Sequence, residues 1–351
     1  LERIITSIKQ LTNRTVVLNQ IPYDDEKTFQ ILQRGLTSGI FQLESQGMKR
    51  VLRELKPTAF QDIIAVNALY RPGPMDFIPI YIKRKHGIEK TTYLHEDLEP
   101  ILRSTYGVLI YQEQIIQIAH RIAGLSLGEA DLLRRAISKK DATIIETERA
   151  AFINGCIKQG YSLKMAEELF DWIVKFSNYG FPKSHAVAYS KISYQLAYLK
   201  AHYPSVFFAE VLSSIANQES KIMSYVKEMK QFNIPILAPS INRSFISYTV
   251  ENGHIRMGLT AIKGVSAQMA KEIIDVRKGK SFQGLYDFCL RIPNHLLKRS
   301  LLEVLIMVGA FDELHENRAS LLATLDQAME QGELFKEFVD QPNLFPEQLK
   351  T

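Results

Sequence analysis

Cysteine is nearly absent: there are two in 351 residues, Cys156 and Cys289, far apart and with no CxxC or HxxxH pattern nearby. That excludes a disulfide-stapled scaffold, argues against a zinc site and fits a reducing compartment. Long apolar runs are missing too. Stretches such as Val304 to Val308 fall far below the roughly 20 residues that span a bilayer. No secretory leader opens the chain, and its first residue is Leu1, so it reads as a piece of something longer. With 46% hydrophobic and 23% charged residues, the composition is close to the globular average. Wholesale disorder is excluded and a sizeable core can be buried. At roughly 150 residues per domain, the length suggests two domains or one large domain with an appendage. No internal repeat or low-complexity tract stands out.

The net charge is only +5, but it is unevenly placed. Residues 239–300 hold ten Lys and Arg against four Asp and Glu, a net of +6, while residues 301–351 hold three against ten, a net of −7. A basic block followed by an acidic tail reads as polyanion binding beside a segment kept off the polyanion. The alternative is two solvated faces.

To about Asn233 the pattern is mostly helical. Ile115, Ile116, Ile118, Ala119 and Ile122 recur at helical spacing, as do Leu196, Leu199 and Tyr203. The clearest long helices run over 129–140 and 184–202, with Ser184 as N-cap of the second. Pro72-Gly73-Pro74 forces a turn. Pro235 and Pro239 bracket a linker, after which residues 245–259 alternate like a strand pair around Asn252-Gly253, a dipeptide suited to a type I′ hairpin. Short helices follow to about Phe311.

Four motifs could carry chemistry. In the predicted helix over 129–140, Leu132, Leu133, Ala136 and Ile137 supply the buried stripe. Arg135 and Lys139 lie one turn apart, with Arg134 adjacent. Guanidinium forks beside a lysine suit phosphate oxygens; the alternative is a solvated Asp131–Arg135 pair. In the segment 178–189, Lys183 and His185 stand at a helix start, which favours anions, and His185 and Tyr189 are one turn apart. A ring beside cations suits a nucleotide, although both side chains could simply pack. Residues 259–274 place Gly264 in a hairpin between short helices, with Lys263 and Lys271 nearby. Such a hairpin lets backbone N–H groups of Gly264, Val265 and Ser266 approach a phosphate. It resembles a helix-hairpin-helix DNA-binding motif, with Ser266 in place of the usual second glycine; a plain helical corner is the alternative. Finally, Gln341, Leu344 and Phe345 stand in the acidic tail like a linear motif that fills a partner's apolar pocket. Gln331 to Phe335 is a weaker, helical copy.

Five stretches occur in one order: Thr37 to Met48 (TSGIFQLESQGM), Ala68 to Met75 (ALYRPGPM), Thr105 to Gln114 (TYGVLIYQEQ), Ala130 to Ala136 (ADLLRRA) and Lys183 to Ala186 (KSHA). Together they resemble the fingers of bacterial replicative DNA polymerases of the C family, the polymerase III alpha subunits. The likeness covers essentially the whole chain and is greatest to the shorter alpha subunits without an embedded exonuclease. It implies a mainly α fold: a helical fingers domain followed by a small β-hairpin and a helix-hairpin-helix domain. The expected boundaries are a lead-in over 1–32, fingers over 33–238, a DNA-binding domain over 239–311 and an acidic tail over 312–351.

The resemblance implies roles as well. Arg71, Arg134, Arg135, Lys139 and Lys183 would be cations near the incoming dNTP and the template, with His185 and Tyr189 shaping the nucleotide pocket. Gln112 and Glu113 could equally be fold-holding contacts. Lys263, Gly264, Val265, Ser266 and Lys271 would hold duplex DNA, and Gln341, Leu344 and Phe345 would bind the sliding clamp, the beta subunit. Further partners would be primer-template DNA and other replisome subunits, in the bacterial cytoplasm and away from membranes. The family's catalytic Mg²⁺ ions are bound by three palm aspartates, all expected to precede Leu1. Asp24 and Asp25 lack the family's context and are assigned no metal, and no catalytic residue is assigned here. A non-catalytic DNA-binding or interaction module of a replication or repair protein is the alternative.

Overall fold

The computed structural model describes residues 1–139, 142–177, 180–216, 218–315 and 317–339, with side chains at all of these except 138, 139, 142–144, 176, 177 and 337–339. Gln341, Leu344 and Phe345 therefore lie outside the described residues, as does the side chain of Lys139. The chain groups into two compact units, residues 17–201 in one and residues 1–16 with those from 202 onward in the other. The change of texture at Pro235 to Pro239 falls inside the second. The mainly helical expectation holds: the described residues form eighteen α-helices and three short strands. None of these helices is long and apolar enough to cross a membrane.

The chain opens with α1 (Glu2–Thr12), which buries Ile4 and Ile8. The unit 17–201 then holds α2 (Glu26–Gln33), α3 (Gln46–Leu55), α4 (Phe60–Leu69), α5 (Ile78–Lys85), α6 (Glu99–Leu102), α7 (Gln112–Arg121), α8 (Leu127–Lys139), α9 (Ala142–Lys158), α10 (Leu163–Ser177) and α11 (Lys183–His202). Asp25 starts α2 as a cap, its carboxylate accepting from the Thr28 N–H at 2.8 Å and hydroxyl at 2.6 Å. Pro72-Gly73-Pro74 makes the expected turn after α4, with Gly73 at φ 96°, a conformation that favours glycine.

Helices α7 to α10 pack around one apolar core. It includes Ile115, Ile118, Leu133, Phe152, Phe170 and Ile173, all nearly inaccessible. Burying each such side chain is worth roughly 1.5–3 kcal/mol before ordering costs. Gly155 on α9 permits this packing, because a Cβ there would lie 2.0 Å from the Ala123 carbonyl oxygen. Two helix starts differ from expectation. A capping box between Ser126 and Glu129 begins α8 at Leu127, two residues earlier than the pattern suggests. Ser184 lies inside α11, whose first turn begins with the Pro182 carbonyl accepting from the Ala186 N–H. Leu132, expected in the buried stripe of α8, is 57% exposed, while Leu133, Ala136 and Ile137 are buried.

In the other unit, α12 (Pro204–Ser214) and α13 (Glu219–Met229) precede β1 (Ile236–Leu237), β2 (Thr249–Glu251) and β3 (His254–Arg256). Asn252 and Gly253 have φ of 51° and 81°, as a type I′ turn requires, and join β2 to β3 antiparallel. The stretch between Pro235 and Pro239 is not a bare linker, since β1 pairs parallel with β3 and gives the strand order β1-β3-β2. Next come α14 (Ala267–Arg277), α15 (Leu285–Arg291), α16 (Arg299–Met307), α17 (Arg318–Ala323) and α18 (Leu325–Val339). The segment from 312, expected as a tail, forms α17 and α18 and packs through the first part of α18, although Leu334 and Phe335 are exposed. Leu321, Leu325 and Ala328 share the core of Phe282, Phe288 and Phe311. A Cβ at Gly332 would come 2.8 Å from the Cys289 carbonyl oxygen, so α18 lies close against α15.

Candidate nucleic-acid interface

Within the unit 17–201, all five of the stretches singled out in the sequence contribute to one face. Residues 110–112 run parallel to residues 180–181: the Phe181 N–H donates to the Ile110 carbonyl at 3.0 Å and the Gln112 N–H to the Phe181 carbonyl at 3.1 Å. This places the start of α7 beside the start of α11. The Glu113 carboxylate then accepts the Lys183 N–H with both oxygens at 2.9 Å, satisfying a donor that the helix leaves unpaired. Gln112 donates to the Gly180 carbonyl at 3.2 Å and accepts from Arg134 at 3.1 Å, tying α8 to the same corner. Gln112 and Glu113 thus hold the fold together here, whatever else they do.

Around this corner runs a row of rings. Phe181 and His185 have centroids 5.4 Å apart, His185 and Tyr189 4.2 Å, and Tyr189 and Phe41 5.2 Å. The Arg71 guanidinium lies 4.7 Å from the Phe181 centroid, and the Lys183 ammonium 5.4 Å from that of Tyr111. Both are cation–π distances. Partial burial lowers the Arg71 pKa from its ordinary value, but a guanidinium stays charged. His185 and Tyr189, expected to share one ligand because they are a turn apart, face each other. Lys183 and His185 are exposed.

On α8 the arginines take different places. Arg134 is 20% exposed and bonded to Gln112 and Asp131, whereas Arg135 is 62% exposed and paired with Asp131 at 2.8 Å. The hydrogen bond from Arg134, then its charge and that of Arg135, holds the Asp131 carboxyl below the usual range. The solvated i,i+4 pair is therefore present. Lys139 ends α8, and Asn178 and Tyr179 of the motif 178–189 lie outside the described residues.

Sequence reasoning did not single out Phe41, Tyr111 or Phe181 as members of this face. The Gly-Ile-Phe tip of residues 39–41 carries a signal, an aromatic residue two positions after a glycine that can turn the chain. Contacts spanning 70 residues, as between Glu113 and Lys183, leave none.

The second candidate surface is the hairpin before α14. Gly264 has φ +90° with open space where a Cβ would stand, and Lys263 and Lys271 are exposed. Val265 is buried and its N–H donates to the Ile262 carbonyl at 3.1 Å, so it anchors the turn to the core. Ser266, at φ −77°, caps α14 by accepting from the Met269 N–H at 3.2 Å. A second glycine is therefore not required by the backbone at that position. A cleft of about 820 Å³, lined by residues 260–266 with Met223, Tyr248 and Met257, lies beside the hairpin.

Among the described residues, no group of three His, Cys, Asp or Glu side chains could hold a metal ion. The donor set does not fit a Mg²⁺ site, and Asp25 serves as a helix cap.

Residues 1–160 match the family described as the bacterial DNA polymerase III alpha subunit finger domain, and residues 233–321 match a helix-hairpin-helix motif. The two matches thus describe a polymerase finger domain followed by a helix-hairpin-helix motif. The chain is 54% identical over 345 residues to DNA polymerase III subunit alpha of Bacillus subtilis, covering 98% of this chain and 31% of that protein. It is 50% identical over 338 residues to the subunit alpha of Halalkalibacterium halodurans, covering 96% and 30%. With the Staphylococcus epidermidis protein it shares 49% identity over 331 residues, covering 94% and 31%. Over nearly its whole length the chain is similar to bacterial DNA polymerase III alpha subunits, and it spans about 31% of the length of these curated relatives.

Proposed function

We propose that the chain is the nucleotide- and DNA-handling part of a bacterial DNA-directed DNA polymerase, with the catalytic Mg²⁺ ions held by residues outside it. In this reading the face of the unit 17–201 binds the triphosphate of the incoming dNTP and the adjoining template. Arg71, Lys183 and Arg135 meet phosphate oxygens, with Arg134 and Lys139 extending the positive field. His185 and Tyr189 shape the pocket. The observation that carries this is the convergence of distant motifs on one face with cations and aromatic rings side by side, the pairing a nucleotide needs.

The hairpin holds duplex backbone through the N–H groups of Gly264 and Ser266 and the charge of Lys263 and Lys271, without reading bases. Val265, whose N–H is already bonded to Ile262, anchors it instead of meeting phosphate as the sequence suggested. Gln341, Leu344 and Phe345 bind the sliding clamp, the enzyme works in the cytoplasm, and other replisome subunits join it there. The test is primer extension by the full-length protein carrying this chain. Lys183→Ala should raise the KM for every dNTP while leaving duplex binding nearly intact. An unchanged KM would remove the nucleotide assignment.

A further inference from the structure

We infer that the turn Gly39 to Gln42 is a base-stacking wall of this same face, with Phe41 as the residue that takes a nucleobase. The inference rests on the nucleotide reading proposed above and extends it to residues that reading does not use.

The turn is held far more firmly than a surface loop requires. The Thr37 hydroxyl donates to the Leu43 carbonyl at 2.6 Å, and the Ser193 hydroxyl to the Phe41 carbonyl at 2.8 Å. Two buried ammonium groups converge on Ser38: Lys49 donates to its hydroxyl at 2.6 Å and Lys200 to its carbonyl at 2.7 Å. Lys49 is 6% and Lys200 0% exposed, and lysine is rarely so buried without a specific role for the charge. Gln42 adopts φ 63°, a conformation uncommon for a residue with a side chain. Strain that the surroundings over-determine clusters at ligand sites.

All this structure serves to present a ring that is not in the core. Phe41 is 40% exposed and stands at the end of the row Phe181, His185, Tyr189, Phe41, with Arg71 at the opposite end. Charge at one end and an accessible ring at the other match a nucleotide's phosphates and base. A phenyl ring offers no hydrogen bond, so it stacks on any base without selecting among them. The base could belong to the incoming nucleotide or to the template strand; the chemistry is the same.

The experiment uses the full-length protein with Phe41→Ala, Phe41→Leu and Phe41→Trp beside Lys183→Ala. It reads the KM for each dNTP, inhibition by inorganic tripolyphosphate, and affinity for primer-template with and without an abasic template position. Phe41→Ala and Phe41→Leu should weaken binding on the order of ten-fold, equally for all four bases, with Phe41→Trp close to wild type. Tripolyphosphate inhibition should not change. A rise confined to the dNTP KM assigns the base to the nucleotide; a loss confined to intact template, absent with the abasic one, assigns it to the strand. Leucine serving as well as phenylalanine would show mere packing on Tyr189 and overturn the inference. So would an alanine variant that matches wild type in every readout while Lys183→Ala raises KM, an outcome that leaves the nucleotide reading standing. If Lys183→Ala and tripolyphosphate are both without effect, the nucleotide reading falls and takes the inference with it.

Discussion

Arg71 and Lys183 lie over aromatic rings, Phe181 and Tyr111, with the Arg71 guanidinium also bonded to the Ala68 carbonyl, whereas on the hairpin Lys263 and Lys271 stand out into solvent. The first arrangement gives each charge a ring to rest on. The second fixes only the backbone, through Gly264 and the Ser266 cap, and leaves the ammonium groups free to follow a phosphate. Chemistry at one nucleotide needs position, while a grip on duplex of any sequence needs charge on a flexible stem. The proposed function asks of the two surfaces the difference that they show.

The comparison breaks most sharply at Arg71. Arg71→Ala removes both a charge-assisted donor and the cation over Phe181, each part of the seated arrangement. A lost contact of this kind is worth about 1.5–3 kcal/mol, roughly ten- to a hundred-fold in kcat/KM for nucleotide incorporation. Arg71→Lys should recover only part of it, because the planar guanidinium stacks and an ammonium does not. Full recovery by lysine, measured in steady-state primer extension, would reduce this face to plain charge like the hairpin.

Arg256 asks whether a firmly held cation must mark a ligand site. It is 8% exposed on its side chain and is bound by Glu251 at 2.8 Å and by the Ala238 carbonyl at 2.7 Å, with no ring row beside it among the described residues. Here the partner is a carboxylate, so the arrangement is structural. Hydrogen bonds from Arg256, chiefly, and Arg243 pull the Glu251 carboxyl down from 4.5 to about 2. A depressed carboxyl stabilises the fold fully above its unfolded value, near pH 4.5, and this stability is lost as pH falls towards about 2. Allowing for solvent screening, Glu251→Gln should lower stability at neutral pH by about 1–2 kcal/mol and flatten the acid limb between about pH 5 and 2. Denaturant melts at several pH values measure both, and an unaltered acid limb would contradict the assignment.

Much of this organisation was legible in the sequence, for local reasons. Asn252-Gly253 forecast its turn because both residues accept positive φ, and the Ile115 to Ile122 pattern forecast the buried face of α7. What was not legible depended on distant partners. β1 is hidden between two prolines because its parallel partner lies about 19 residues on, at Ile255 and Arg256. Leu132 fits the apolar stripe of α8 by spacing, yet the neighbouring helices cover only the side that holds Leu133 and Ile137. Of the face itself, the sequence supplied Arg71, Lys183, His185 and Tyr189 but not the row they form. That row needs Phe41, which is 152 residues from the Ser193 that holds its carbonyl.

On the hairpin, Lys263→Ala with Lys271→Ala should weaken duplex binding alike for unrelated sequences and reduce the slope of log affinity against log salt by up to about two. Effects on nucleotide KM should be small. A salt slope that stays put, or a loss that depends on sequence, would mean that these lysines are not meeting phosphates and that the contrast between the two surfaces has been drawn in the wrong place.

The smallest expected change is in stability at Arg135, which sits between the two kinds of site. Like the hairpin lysines it is exposed, and like Arg134 it shares Asp131. An exposed ion pair of this sort contributes about 0–1 kcal/mol, since water replaces the lost partner at little cost. Arg135→Ala should therefore shift unfolding by no more than about 0.5 kcal/mol. If the guanidinium leaves Asp131 for a phosphate when nucleotide binds, the same substitution should weaken nucleotide use clearly more than duplex binding, since the charge-assisted contact forms only in the loaded state. Asp131→Asn supplies the complement: it removes the competing carboxylate while leaving both arginines, so nucleotide affinity should hold or rise. Equal losses in nucleotide use and duplex binding for Arg135→Ala, or no loss in either, would leave Arg135 as one half of a solvated pair on α8.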